Sequence, residues 1–128
     1  MKRGGILHPG LSHLLASTGH TDYFTVCDRG FPVPDGPQRI DLALVDDLPT
    51  VLDVLRAVHA EFIVDRIVVA EEMETFSPDR LAAMQALIGD IRIEPVSHLA
   101  LKRLSADAKA TVRTGDTCAY ANIIIVSG

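Results

Sequence analysis

Short apolar runs alternate with amphipathic stretches along the chain, and this alternation predicts a layered α/β fold. The segments DYFTVCD, RIDLALV, DRIVVAEEM and IRIEPVSH are predicted strands, because each is rich in β-branched residues or alternates apolar with polar ones. The last segment, ATVRTGDTCAYANIIIVSG, predicts two more strands with a turn at Gly115. We therefore predict a single three-layer α/β/α domain over residues 1–128, with a central mixed or mostly parallel sheet.

The helices between these strands are predicted from apolar spacing and from the residues that begin and end them. HLLAST predicts a short first helix with a glycine stop at Gly19, just before His20. Ser77 caps a helix through DRLAAMQALIG, and Ser97 caps another through LALKRLSADA. The remaining helix, LPTVLDVLRAVHAEF, has one apolar face formed by Val51, Leu52, Leu55 and Val58.

Composition and charge narrow the classes of function. Hydrophobic residues make up 48% of the chain and aromatic residues 5%, so the predicted core is aliphatic. The net charge of -5 argues against nucleic acid as a partner, because phosphate binding needs clustered Lys and Arg. The apolar runs are too short to cross a bilayer, and the amino-terminal residues lack the apolar core of a secretory signal. We therefore expect a cytoplasmic protein without membrane insertion.

Metal and cofactor chemistry have no recognisable motif in the sequence. Cys27 and Cys118 are widely spaced, which is typical of buried apolar thiols rather than of a metal clip. The histidines match no zinc-ligand spacing, and the glycine motifs of nucleotide binding and the serine-hydrolase elbow are missing. We therefore predict no metal and no cofactor, and a chemistry that needs side chains only.

Three polar residues lie at predicted junctions, and each has an ordinary and a functional interpretation. His20 follows a helix, where a histidine often caps the last carbonyls. Asp28 ends a strand, where an aspartate often bonds its own turn. His98 begins a helix, whose positive end favours a neutral imidazole. Taken singly, His20 and Asp28 favour the ordinary interpretation, and only the combination of residues can reverse it.

Further polar side chains lie beside the most apolar strands. Tyr120 and Asn122 precede IIIV, so their polar tips either close the edge of the sheet or line a pocket. Glu71 and Glu72 follow IVVA, and adjacent residues of a strand point to opposite faces. We therefore do not expect the two glutamates to form a close acid/base pair; we expect one of them to reach a site and the other to make a salt bridge or face water.

Taken together, several segments resemble one known family. KRGGILHPGLSHLLASTGHTD, VCDRGFPVP, RIDLAL, VVAEEM and VRTGDTCAYANIII follow one another from the first residues to the end of the chain. With their G-H-T-D, C-D-x-G-x-P and Y-A-N motifs, they resemble the sugar mutarotase family of D-ribose pyranases and L-fucose mutarotases. The ribose branch is the more similar of the two.

The resemblance implies an isomerase that interconverts the pyranose and furanose forms of D-ribose in the cytoplasm without a cofactor. It implies a homo-oligomer, often a decamer, with sites near subunit contacts. It assigns the proton donor to His20 and the sugar contacts to Asp28, His98, Tyr120, Ala121 and Asn122. Two alternatives remain open: a mutarotase for another free sugar such as L-fucose, and a non-catalytic sugar-binding subunit of a ribose uptake system.

The residue types suit such a reaction. An imidazole with a pKa near 6.5 exchanges protons near neutrality, and carboxylate and amide groups bind sugar hydroxyls. A clustered Arg/Lys phosphate clamp is missing, which favours a free sugar over a sugar phosphate. If DYFTVCD is a fully extended strand, it spans more than roughly 20 Å, which is too far for His20 and Asp28 of one chain to contact the same small sugar. Either the strand is short or bent, or another chain completes the site, and the resemblance to an oligomer with sites near subunit contacts favours the second.

Overall fold

A six-stranded sheet forms the centre of the protein in a computed structural model that describes residues 1–128. In chain order the strands are β1 (Tyr23–Cys27), β2 (Gln38–Asp41), β3 (Val64–Ala70), β4 (Arg92–Val96), β5 (Ala110–Arg113) and β6 (Ile123–Ser127). They lie side by side in the order β2-β5-β1-β6-β3-β4. β6 pairs antiparallel with β1 and β3, whereas the other neighbours are parallel. The predicted mixed, mostly parallel sheet is confirmed.

This topology gives the sheet two chemically different edges. Five strands end at one edge, where β6 begins; we call this the carboxyl edge. The five strands begin at the opposite edge, where β6 ends; we call this the amino edge. The polar groups of open α/β sheets gather beyond the carboxyl ends of the strands. We therefore expect a functional site at the carboxyl edge.

Helices cover both faces of the sheet. They are α1 (Pro9–Ser17), α2 (Val51–His59), α3 (Glu72–Phe76), α4 (Pro78–Ile88) and α5 (His98–Ala106). Residues of α1, α2 and α4 belong to a core of 20 buried residues on one face, and Leu101 of α5 belongs to a core of seven on the other. The three-layer arrangement is therefore confirmed. None of these helices is long and apolar enough to span a membrane.

β6 shows why the central strands are continuously apolar. Ile123 and Ile125 enter the larger core, and Ile124 and Val126 enter the smaller one. Successive side chains of a strand point to opposite faces, so a strand with helices on both sides has no solvent-facing position that would favour a polar residue.

The helix boundaries follow local hydrogen bonding, with two differences from the sequence prediction. Ser97 caps α5 as predicted, with its hydroxyl accepting the Ala100 N–H at 3.0 Å. Ser77 lies at the cap position of α4, but its hydroxyl donates to the Ala119 carbonyl at 2.6 Å instead. Gly19 is not the predicted glycine stop, because α1 ends at Ser17 and Gly19 lacks a left-handed backbone.

Three further sequence predictions need correction. Glu71 and Glu72 do not lie on a strand: β3 ends at Ala70, Glu71 caps the short helix α3 and Glu72 begins it. The strand predicted in RIDLALV ends at Asp41, because the chain turns away from β5 after four residues. On α2, Val54 is buried and Leu52 is only half-buried.

Candidate functional site

Four of the predicted site residues lie at the carboxyl edge, where they form two contacting pairs. Asp28 follows β1, His98 begins α5 directly after β4, and Tyr120 and Asn122 lie just before β6. The Asp28 N–H donates to Asn122 Oδ1 at 2.8 Å, and the His98 and Tyr120 ring centroids are 5.2 Å apart. Ala121, between Tyr120 and Asn122 in the chain, is buried in the larger core and only 1% exposed, so a single chain leaves almost none of its surface open to a ligand.

Asp28 combines the two roles that the sequence left open. One carboxylate oxygen, Oδ1, accepts the Gly30 N–H at 2.9 Å, which is the turn-forming contact of an ordinary loop aspartate. The other oxygen, Oδ2, makes no hydrogen bond within the chain. The turn therefore fixes the carboxylate and leaves one acceptor for an incoming hydroxyl.

His98 is held at the start of α5 by Glu72, one of the two glutamates between which the sequence did not choose. The His98 N–H donates to Glu72 Oε2 at 2.8 Å. Burial is the main cause that lowers the His98 pKa, Lys102 lowers it further, and Glu72 and Asp28 oppose the shift. Nδ1 is buried without a hydrogen-bond partner. The ring is therefore neutral near pH 7, as the helix end predicts.

Tyr120 presents an aromatic ring in a constrained position. Its backbone has φ 56°, a left-handed conformation that is uncommon for a residue other than glycine. The centroid of its ring is 5.2 Å from that of His98 and 5.2 Å from that of Phe76 in α3. Its hydroxyl makes no hydrogen bond within the chain. Backbone outliers of this kind concentrate at functional sites.

His20 lies at the amino edge, away from the other predicted site residues. It is exposed in the turn after α1, and its ring makes no hydrogen bond, so it does not cap the helix carbonyls. The next residue, Thr21, donates its N–H to the carbonyl of Ser127 at the end of β6. Asn122 precedes the start of β6, and five residues of strand span roughly 16 Å. One chain therefore does not bring His20 to the other predicted site residues.

The turn that carries His20 has its own support. Thr21 has φ 70°, which is a genuine outlier for a β-branched residue. The Asp22 carboxylate accepts the Gly19 N–H at 2.9 Å and lies 3.5 Å from the Lys109 ammonium. The Gly19 amide, with help from Lys109, lowers the Asp22 pKa although burial opposes it. The backbone around His20 is therefore held in one defined shape.

An ion pair behind the carboxyl edge was missed by sequence reasoning. Arg80 of α4 donates from Nη1 and Nη2 to the Asp116 carboxylate, which is fully buried. Burial alone would raise the Asp116 pKa, but hydrogen bonds from Arg80 and from the Cys118 and Val51 amides outweigh it and lower the pKa. The two residues are 36 positions apart, and no motif links them in the sequence.

An open cleft of about 210 Å³ lies beside these groups, between the Asp28–Gly30 turn and the segment Asp116–Ala119. The cleft wall is mainly polar, with carboxylate, hydroxyl and backbone groups. No cluster of three or more His, Cys, Asp or Glu side chains is arranged to hold a metal ion. The edge is thus equipped to hydrogen-bond a small polyhydroxylated ligand.

Comparison with known proteins gives full-length matches. The model of the RbsD / FucU transport protein family matches residues 1–128. A D-ribose pyranase of Geobacillus thermodenitrificans is 47% identical over 128 residues, covering 100% of this chain and 97% of that protein. Another D-ribose pyranase, of Photobacterium profundum, is 43% identical over 136 residues, covering 100% and 98%.

Solved structures agree with these sequence matches. Bacillus subtilis RbsD, in a structure described as complexed with D-ribose, superposes with a TM-score of 0.95 at 38% identity, covering 100% of this chain and 98% of that one. A fucose mutarotase from Streptococcus pneumoniae, described as in complex with L-fucose, has a TM-score of 0.76 at 21% identity, covering 95% and 93%, and shows the shared fold alone. With the full-length family match and the identity to its members, the chain belongs to the RbsD / FucU transport protein family.

Proposed function

We propose that the protein is an isomerase that interconverts the pyranose and furanose forms of D-ribose by acid/base ring opening and reclosure. The observation that carries this proposal is the full-length similarity to proteins named D-ribose pyranase, at up to 47% identity. The Bacillus subtilis structure described as complexed with D-ribose, with a TM-score of 0.95, supports the same substrate. A cytoplasmic location remains a prediction from the sequence.

The reaction needs two proton transfers. Opening the pyranose adds a proton to the ring oxygen and removes one from the anomeric hydroxyl; the free aldehyde then recloses through the 4-hydroxyl. We assign the proton donor to His20, whose exposed ring is free to reach a sugar. The neutral His98 ring can hold the anomeric hydroxyl or carry the second proton, since a neutral imidazole both donates and accepts.

The other residues bind the sugar. The free Oδ2 of Asp28 accepts a hydroxyl hydrogen, and Asn122 offers Nδ2, which makes no hydrogen bond within the chain. Tyr120 offers an apolar ring face and a polar hydroxyl. Positioned acid/base groups contribute roughly 10²- to 10⁴-fold to a rate, or about 3 to 5 kcal/mol. An isomerisation that already proceeds unaided in water needs little more.

We further propose that each site is shared between two copies of the chain in a homo-oligomer, with a ring-built decamer as the specific form. The support is geometric: His20 and the carboxyl-edge residues lie at opposite ends of β6, roughly 16 Å apart, whereas a ribose ring is only a few ångströms across. A neighbouring copy that places its amino edge against this carboxyl edge completes the set. Large exposed apolar side chains such as Leu44 and Leu99 are available for such contacts.

Saturation-transfer NMR between the pyranose and furanose signals of D-ribose tests the activity. The protein should accelerate exchange, and His20→Ala should abolish the acceleration without loss of fold. His13→Ala is the matched control, because His13 is also exposed and lies seven positions away on α1. Wild-type protein that leaves the exchange rate unchanged would contradict the proposal, and calorimetric ribose binding in that case would favour a non-catalytic uptake subunit. The same assay on L-fucose measures the breadth of specificity.

A further inference from the structure

We propose that Arg80 is a positioning residue of the sugar site: through Asp116 it holds the Asp28 turn and the segment Cys118–Asn122 in register with each other. This inference rests on the proposed function. Arg80 itself is not a sugar contact, because it lies behind the edge with its guanidinium committed to the Asp116 carboxylate.

Asp116 is bonded to both loops that carry sugar contacts. Its backbone carbonyl accepts the Arg29 N–H at 3.1 Å, directly after Asp28. Its Oδ1 accepts the Cys118 N–H at 2.9 Å, two residues before Tyr120. A displacement of Asp116 therefore moves the Asp28 turn and the Tyr120 segment together.

Arg80 anchors this junction to the body of the protein. Nη2 donates to Asp116 Oδ1 at 3.1 Å, and Nη1 donates to Oδ2 in a two-pronged contact of the kind that fixes orientation as well as distance. Oδ2 also accepts the Val51 N–H at 2.8 Å, at the start of α2. The Arg80 side chain is 15% exposed and that of Asp116 is 0% exposed, so solvent does not compete for these bonds.

The pair is better explained by positioning than by stability alone. Replacing a buried ion pair by apolar residues is often neutral or stabilising, so stability gives little reason to place one here. Catalytic constellations, by contrast, have to be held within roughly 0.5 Å of the productive geometry, and a misplacement of about 1 Å can reduce a rate by about 10²-fold. A two-pronged contact to a fully buried carboxylate supplies that constraint.

The test compares Arg80→Met with Arg80→Lys and with the control Arg56→Met, whose ion pair with Asp53 on α2 is exposed. All variants are assayed for ribose exchange at temperatures where circular dichroism shows them folded. For Arg80→Met we expect kcat/KM to fall by about 10- to 100-fold, mainly through a higher KM, because the displaced groups bind the sugar before the reaction. Arg80→Lys should recover part of the loss, and Arg56→Met should behave like the wild type.

Arg80→Met leaves the Asp116 carboxylate buried without its cation, so it is also made together with Asp116→Asn, which removes the unpaired charge. We expect this double variant to recover stability but not KM. A double variant with wild-type KM and kcat would overturn the inference, as would activity losses that only follow the folded fraction.

Amide hydrogen exchange supplies a readout that does not depend on activity. The Asp28 N–H, which bonds Asn122 Oδ1 across the two loops, should lose protection in both variants, while Ile125 in the middle of β6 keeps it. If wild-type protein shows no ribose exchange, the proposed function fails, and this measurement still decides the positioning role. Unchanged protection of the Asp28 amide in the folded variants would overturn it.

Discussion

The two edges of the sheet hold their polar groups in different ways. At the carboxyl edge, Asp116 is fully buried and receives Arg80 and two backbone amides. At the amino edge, the pair of Asp22 and Lys109 is open to solvent, with side chains 47% and 35% exposed. Exposed ion pairs contribute little to stability, whereas a broken buried pair is costly. The carboxyl edge therefore holds its charged groups in fixed, buried positions, whereas the amino edge leaves its charged groups open to solvent.

This difference is consistent with the proposed site, in which one edge binds the sugar and the other edge, from a second copy, supplies the proton donor. Groups that bind the sugar have to be preorganised, because their misplacement weakens every contact at once. The proposed proton donor, His20, projects from the surface in its exposed turn, as a group that reaches into a neighbouring copy has to do.

The largest effect is expected from mixing two inactive variants. His20→Ala removes the amino-edge donor and His98→Ala removes a carboxyl-edge group, so each variant alone should be inactive in ribose exchange. After unfolding and refolding them together at equal amounts, about a quarter of the sites of a randomly mixed homo-oligomer should contain both wild-type halves. The recovered rate should therefore approach a quarter of that of the wild type.

The controls for that experiment are the same variants refolded separately, and a mixture combined without unfolding. Mixed and refolded chains that stay inactive, while size-exclusion chromatography shows a wild-type oligomer, would contradict a site shared between copies.

Asp116→Asn should have the next largest effect, on stability. It breaks a buried ion pair and leaves Arg80 without its counter-charge, so we expect the free energy of unfolding to fall by about 3 to 5 kcal/mol in urea denaturation. Asp22→Asn at the amino edge is the matched change and should leave the denaturation midpoint close to that of the wild type. Equal losses for the two variants would remove the distinction between the edges.

Asp22→Asn should act on activity rather than on stability. The substitution weakens the contacts to the Gly19 amide and to Lys109 that shape the turn carrying His20. We expect a several-fold lower exchange rate at saturating ribose, with KM nearly unchanged, because the sugar contacts lie at the other edge. A raised KM with a normal maximal rate would show that the turn binds sugar rather than positioning the donor.

The smallest effect is expected from His98 and pH. Its pKa in the folded protein is lowered, mainly by burial, so the unfolded chain takes up the proton first as the pH falls. Above about pH 6.5 the imidazole is neutral in both states, so its protonation should not affect the free energy of unfolding. As the pH falls from about 6.5 through the lower pKa of the folded protein, the free energy of unfolding should decrease. His98→Gln should flatten this part of a pH series of urea midpoints. A series that is unchanged by the substitution would contradict the shift.

Most of the sheet was predictable, because burial on two faces leaves a direct signal in apolar runs such as IVVA and IIIV. The short helix α3 was missed, because five residues are too few for a helical period to show, and EEM was assigned to the preceding strand. The end of the first helix was misplaced because a glycine was expected to stop it, whereas the Thr18 hydroxyl satisfies the Leu14 carbonyl. The first error comes from the short length of the helix, and the second from a local competition between capping groups.

The site was only partly predictable. His98, Asp28, Tyr120 and Asn122 lie on three separate segments, and their meeting depends on β6 being inserted antiparallel between β1 and β3. The approximate length of the first strand already indicated that His20 would lie apart from Asp28. The contact of Glu72 with His98 and the contact of Arg80 with Asp116 could not be predicted. An acidic or basic residue of a helix looks the same in the sequence whatever its side chain contacts.

The alternation of strands and helices, the aliphatic core and the family motifs can be recognised without a structure, because hydrophobic period and local residue chemistry are properties of neighbouring positions. The edge at which each polar group lies, and which charge is buried, depend instead on the order of the strands. That order arises from contacts between segments far apart in the chain. It places His20 and the predicted sugar contacts at opposite ends of β6, and places the Asp116 carboxylate against Arg80.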